Sequence, residues 1–130
     1  MSKIKPFFTF GGHAENAIHF YLSLFDDSEI IHITHYGKDA GDRAGKIEVA
    51  TFTMHGQQFM CIDSSVEHAW AFTPAISLHV ACDSAEEVDR LHNALIEGGE
   101  SFMPLGSYPF AQRYAWIQDR FGVSWQLMWA

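Results

Sequence analysis

The sequence predicts an α+β protein made of two βαβββ modules, and three observations carry that expectation. Strand and helix periodicities read in the order strand, helix, strand, strand, strand, and then do so again. The apolar stripe of the first helix opens at Ala14-Glu15 and that of the second at Ala85-Glu86, 71 residues later. The hairpin glycines Gly56 and Gly122 stand 66 residues apart, so both offsets are close to half of the 130-residue chain. Identity between the halves is weak, so the repeat is one of topology. The expected organisation is one domain over 1–130, with a first module over about 1–65 and a second over about 74–130.

Each element has its own local reason. Ile4 to Phe10 is short, aromatic and stopped by Gly11-Gly12, which predicts a strand. Ala14, Ala17, Ile18, Tyr21, Leu22 and Phe25 recur at helical spacing, and Glu15 suits the positive end of the helix dipole. Asp26-Asp27-Ser28 ends that pattern. The β-branched run Ile30-Ile31-His32-Ile33-Thr34 predicts a strand over Glu29 to Tyr36, followed by a polar loop from Gly37 to Gly45. Lys46 to Met54 alternates apolar and polar positions, and His55-Gly56 turns it into Gln57 to Asp63 as a hairpin.

The loop from Ser64 to Pro74 carries Glu67, His68, Trp70 and Phe72. It reads as a lid over a cavity, a strap in a dimer, or a segment packed on its own core. The second half restarts with a strand, Ala75 to Cys82. Ser84 and Glu87 then form an S-x-x-E capping box ahead of a helix whose stripe is Ala85, Val88, Leu91, Leu95 and Ile96. Gly98-Gly99 end the helix. Ser101 to Leu105, Arg113 to Gln118 and Val123 to Trp129 complete the second module, the last two joined by Asp119-Arg120-Phe121-Gly122.

Composition narrows the function classes. Hydrophobic residues are 48% and charged residues 18%, which suits a folded domain rather than a disordered chain. Eight Lys+Arg against 16 Asp+Glu leave a net charge of −8, the wrong sign for nucleic acid or an anionic membrane. The apolar start is cut by Gly11, Gly12 and His13 and meets Glu15, so neither a signal peptide nor a membrane span is expected. Cys61 and Cys82 form no CxxC pair and read as reduced thiols of a cytoplasmic protein. Aromatic residues are in excess, with 11 Phe, 4 Trp and 4 Tyr.

The helix signature Ala14-Glu15-Asn16-Ala17-Ile18-His19-Phe20-Tyr21, set in this doubled βαβββ order, resembles the vicinal oxygen chelate superfamily of glyoxalases, bleomycin-resistance proteins and extradiol dioxygenases. Leu22-Ser23-Leu24-Phe25, His55-Gly56-Gln57-Gln58-Phe59, Glu86-Glu87-Val88-Asp89, Glu97-Gly98-Gly99-Glu100 and Gly122-Val123-Ser124-Trp125-Gln126 resemble its PhnB-like branch. That branch is often labelled 3-demethylubiquinone-9 3-methyltransferase-like. The resemblance covers essentially the whole chain. It implies a cupped mixed sheet with helices outside, a ligand cavity inside and a homodimer. In catalytic members of the superfamily the first, fourth, fifth and eighth strands supply metal ligands, and those places fall approximately on Pro6, Cys61, Ser77 and Gln126. Proline has no donor atom, and neutral Ser and Gln are weak ligands, so no metal and no cofactor are expected.

Strand alternation then extends the resemblance to a candidate cavity. If Cys61 faces inward so does Asp63; Ser77 brings His79, and Gln126 brings Ser124. Cys61, Asp63, Ser77, His79, Ser124 and Gln126 are therefore the expected ligand-binding residues, among aromatic walls. Trp125, Leu127 and Trp129 belong to the opposite, helix-packed face. Among eight histidines His79 is the candidate acid or base, and no catalytic set is evident. Tyr108, Phe110, Tyr114 and Trp116 stand near the mouth, with their facing left open by the sequence.

The function expected is a metal-independent protein that binds a small apolar or aromatic molecule. The alternative is a metal-dependent lyase, isomerase or dioxygenase whose displaced site uses His79, Asp63 and Cys61. Behind it stands the methyltransferase of the branch label, for which the glycine doublets lack the spacing of a nucleotide-type turn.

Overall fold

Residues 3–130 are described by a computed structural model. Its elements run β1 (Phe7–Phe10), α1 (Ala14–Leu24), β2 (Glu29–His35), β3 (Ile47–Met54), β4 (Gln57–Asp63), β5 (Leu78–Ala81), α2 (Ala85–Ile96), β6 (Glu100–Tyr108), β7 (Ala111–Gln118) and β8 (Ser124–Trp129). The chain divides into two compact units, Met1–His68 and Ala69–Ala130. Each holds one four-stranded sheet, in the order β1-β4-β3-β2 in the first and β5-β8-β7-β6 in the second. In each sheet the first strand pairs in parallel with the last, and the remaining pairs are antiparallel. The α+β class and the two modules are thus as the sequence predicts. No helix among the described residues is long and apolar enough to cross a membrane.

In the first unit the α1 stripe buries Ala14, Ala17, Ile18, Tyr21 and Leu24, and α1 packs on β3 and β4. The sheet meets it with Phe8, Phe52 and Phe59, stacked with ring centroids 5.8 and 5.7 Å apart. Burying side chains of this size stabilises by roughly 1.5–3 kcal/mol each. The β3–β4 turn works because His55 and Gly56 both take positive φ, 49° and 80°. That is the left-handed pair a two-residue hairpin requires. The loop between β2 and β3 is not wholly irregular, since Lys38–Arg43 forms 3₁₀ turns broken at Gly41.

In the second unit Val88, Leu91 and Leu95 of α2 pack against β7 and β8. The Ser84 half of the capping box forms as its spacing demands, while the Glu87 carboxylate reaches one residue further back, to Asp83. Ser84 Oγ accepts from the Glu87 amide at 3.1 Å, and Glu87 Oε1 accepts from the Asp83 amide at 2.7 Å. After α2 the chain passes so close to β7 that a Cβ on Gly99 would lie 1.9 Å from the Gln118 carbonyl oxygen, which only glycine permits. Several boundaries differ from the sequence reading: β1 begins at Phe7 rather than Ile4, and β7 at Ala111 rather than Arg113. β5 begins at Leu78 rather than Ala75, and β6 runs on to Tyr108 and turns directly into β7. The extension holds because Tyr108 pairs with Ala111 and three register shifts along β6 absorb Pro104 and Gly106 on an edge strand.

Candidate functional site

The second sheet has two chemically distinct faces. Ala115, Ile117, Trp125 and Leu127 are buried under α2, and Arg113 Nε donates to Asp89 of that helix at 2.8 Å. Alternation puts the intervening residues on the face turned away from α2: Tyr114 and Trp116 on β7, Ser124, Gln126 and Met128 on β8, and His79 on β5. The register places Trp116 opposite Gln126 and His79 beside Gln126.

A directed chain of hydrogen bonds runs across this face. The Tyr114 hydroxyl donates to Gln126 Oε1 at 2.7 Å, and Gln126 Nε2 donates to Ser77 Oγ at 2.9 Å. Next to it, Trp116 Nε1 donates to Ser124 Oγ at 2.9 Å. Burial and the neighbouring Tyr108 hold the Tyr114 hydroxyl above its ordinary pKa, so it stays a donor at neutral pH. Aromatic rings surround the chain. Phe110 and Tyr108 meet Tyr114 edge-on with centroids 4.9 and 5.5 Å away, and Phe102 meets Trp116 at 5.4 Å. The tip of the β6–β7 hairpin adds a shallow cleft of about 270 Å³, with Tyr108, Phe110, Gln112 and Ala130 in its lining. Phe110 is 54% exposed there.

Of the six expected ligand-binding residues, Ser77, His79, Ser124 and Gln126 lie on or beside this face. Cys61 and Asp63 do not line an open surface of the first sheet and must be corrected. Alternation along β4 is as expected, but the face is the one that α1 covers. The cause is the N-terminus of α1. Its N-cap, His13, makes no side-chain capping bond, and Asp63 supplies the acceptor instead. Asp63 Oδ1 accepts from the Gly12 and Ala14 amides at 2.8 and 3.0 Å, and Oδ2 accepts from the Ile47 amide at 3.1 Å. Only 2% of Asp63 is exposed. Cys61, two residues away on the same face, is fully buried, and burial together with Asp63 pushes its thiol up to about 12.

The sequence reading did not assign Tyr114 and Trp116 to a face. The signal that places them is the small and apolar pair Ala115 and Ile117 between and after them, which claims the α2 side. In the first unit, β4 carries a buried amide oxygen, Oε1 of Gln58, that has no hydrogen-bond partner among the described residues.

The residues at the superfamily's metal-ligand places do not fit a metal. Pro6 has no donor, Cys61 is fully buried on the face that α1 covers, and Ser77 and Gln126 bond to each other. The displaced set of His79, Asp63 and Cys61 fares no better, because both Asp63 oxygens are engaged by backbone amides. Among the described residues no three His, Cys, Asp or Glu side chains are grouped so as to hold a metal ion.

A sequence model of the 3-demethylubiquinone-9 3-methyltransferase family matches residues 2–128. The chain belongs to that family. Within the 3-demethylubiquinone-9 3-methyltransferase family, a PhnB protein from Bacillus cereus is 50% identical, covers 99% of this chain and 100% of its own, and superposes with a TM-score of 0.96. A Pseudomonas aeruginosa protein is 28% identical over 99% of this chain and 98% of its own, with a TM-score of 0.82. The fosfomycin resistance protein FosX of Listeria monocytogenes, at 14% identity, covers 93% of its own chain and all of this one with a TM-score of 0.64. That likeness is one of fold. It agrees with the glyoxalase/bleomycin resistance architecture expected from the sequence. No functionally curated protein matches the chain.

Proposed function

We propose that this chain binds a small, partly aromatic molecule against the face of β5-β8-β7-β6 turned away from α2, and that it works as a cytoplasmic homodimer of one domain. Ser77, His79 and Gln126 of the expected set, joined by Trp116, line the site, and the buried Ser124 and Tyr114, 2% and 4% exposed, hold Trp116 and Gln126 from beneath. The observation that carries this reading is the Tyr114–Gln126–Ser77 chain lying among aromatic rings. A face required only for packing gains more from aliphatic side chains than from an amide whose two ends must both be satisfied. Rings with a few fixed polar groups are the usual lining of a small-molecule site. The donor set at the superfamily's ligand places supports binding without a metal.

Methyl transfer, which the family's name describes, finds less support in these residues. The usual S-adenosylmethionine site rests on a glycine-rich turn after a parallel strand of a doubly wound sheet. Each sheet here has four strands with one parallel pair.

A thermal-shift and calorimetry panel of mono- and bicyclic aromatic compounds tests the proposal. Binding to the native state at 100 times Kd adds about 2.7 kcal/mol of stability, a shift readily measured. The expected result is a raised Tm that Gln126→Leu abolishes. No response across the panel at millimolar concentration overturns the reading, as does saturable binding of S-adenosylmethionine with turnover. Sedimentation at micromolar protein checks the dimer, and a monomer there refutes that part.

A further inference from the structure

One bond on the second sheet can run only one way. An indole nitrogen donates and does not accept, so the Trp116 N–H is spent on Ser124 Oγ at 2.9 Å. Phe102 meets the same ring edge-on at 5.4 Å. Trp116 is half-buried, so what it offers a ligand is ring surface without a hydrogen-bond donor. The face of an aromatic ring carries the negative side of its quadrupole, and the indole face attracts cations more strongly than that of Tyr or Phe.

A carboxylate shares the face with that ring. Glu100 pairs with Gln118, and Gln118 with Ser124, which puts Glu100 on the same side of the sheet as Trp116 and Gln126. It is thus the diagonal neighbour of Trp116, a separation of about 7–8 Å that long side chains span. Gly99 holds this register, because its close approach to the Gln118 carbonyl seats the start of β6 on the end of β7. Glu100 is exposed and joins no ion pair among the described residues. Strand pairing assigns no Lys or Arg to the face. Arg113 belongs to the α2 side, where Asp89 engages it at 2.8 Å, and the Arg120 guanidinium lies over the Phe121 ring at 4.7 Å. The one basic side chain of the face, His79, stands on β5, with β8 between it and the strand of Trp116. The β7–β6 side of the face therefore favours positive charge, in a chain of net charge −8.

We infer that the site selects an aromatic amine, with its flat ring laid on Trp116 and its ammonium group, at the end of a short link, received by Glu100. The inference rests on the binding reading above and deepens it, giving the ligand a charge and that charge a partner. Glu100 is then the specificity residue.

Three probes of similar shape separate the possibilities: 2-(aminomethyl)naphthalene, 2-(hydroxymethyl)naphthalene and 2-naphthoate, titrated by calorimetry into the full chain at pH 7 and low salt. The amine, a cation at this pH, is expected to bind roughly 5- to 20-fold tighter than the alcohol, the range of one cation–π contact with one exposed ion pair. Naphthoate is expected to bind more weakly than either. Glu100→Gln changes an exposed side chain and is expected to cut the amine's advantage by about 2- to 5-fold while leaving the alcohol's affinity unchanged. Equal binding of amine and alcohol, or naphthoate binding tightest, overturns this inference and leaves the binding reading standing. An advantage that Glu100→Gln leaves whole overturns it too, since the net charge of the chain then suffices. Failure of all three to bind at millimolar concentration overturns the binding reading itself.

Discussion

Replacing Asp63 by Asn changes one atom and separates a structural from a ligand-binding role for this residue. The carboxylate accepts three backbone amides, from Gly12, Ala14 and Ile47, at 2.8–3.1 Å and with 2% exposure. An asparagine keeps its Oδ1 bonds to the N-terminus of α1 but turns an NH₂ toward the Ile47 amide, so that two donors face each other. The loss comprises one charge-assisted bond, about 1.5–3 kcal/mol, and the interaction of a negative charge with the helix N-terminus, about 0.3–2 kcal/mol. Asp63→Asn is therefore expected to destabilise by about 2–5 kcal/mol. Asp63→Ala, which orphans all three amides, should cost at least as much. Urea unfolding at pH 7, followed by far-ultraviolet circular dichroism, reads this as a lower midpoint with an unchanged slope. A loss below about 1 kcal/mol would refute the argument and return Asp63 to the list of residues free to meet a ligand.

Three further outcomes follow from other sites. Gly99→Ala forces a Cβ to within 1.9 Å of the Gln118 carbonyl, so backbone must shift; the expected cost exceeds about 2 kcal/mol by the same urea measurement. Gln58→Leu removes a buried amide oxygen without a partner among the described residues, and is expected to raise stability by about 1 kcal/mol; a loss of that size would contradict it. Cys61 is raised from 9.0 to about 12, so above pH 9 the unfolded thiol ionises while the folded one stays protonated. Its contribution is whole below pH 9 and lost as pH climbs toward 12, reaching about 4 kcal/mol at the end and about 1.4 kcal/mol by pH 10. Urea midpoints at pH 7 and pH 10 should therefore fall further for the native chain than for Cys61→Ala, and parallel changes would sink the assignment.

What could be read from the sequence is what is local. The Ser84–Glu87 box is four residues long, so its letters announce its geometry, and the α2 helix starts where they say. The stripe from Ala14 to Tyr21 is likewise complete within two turns. Asp63 shows the opposite case. It terminates a strand that reads correctly, yet its partners lie 49 to 51 residues away at the start of α1 and 16 residues away at Ile47. Periodicity states which residues share a face, not which neighbour covers that face, and so Cys61 and Asp63 were expected on the wrong side. The β6–β7 hairpin was truncated for a related reason. Pro104 and Gly106 look like strand breakers, and only register shifts in the pairing with β7 show that an edge strand tolerates them. On β8 the local signal was strong, because Trp125 and Leu127 are too large and apolar for anything but the helix side.

That alternation along β8 has a consequence for how the protein can change over generations. On the proposed binding reading, substitutions at Ser124, Gln126 or Met128 would alter what the second sheet offers a small molecule while Trp125 and Leu127 keep the α2 interface intact. Recognition can therefore drift one residue at a time without first endangering the fold. A single-residue insertion or deletion within the strand has no such freedom, because it would exchange the two sets and expose tryptophan where an amide stood. Diversity among relatives with other ligands should accordingly accumulate as replacements at every second position of this strand, with its length held constant.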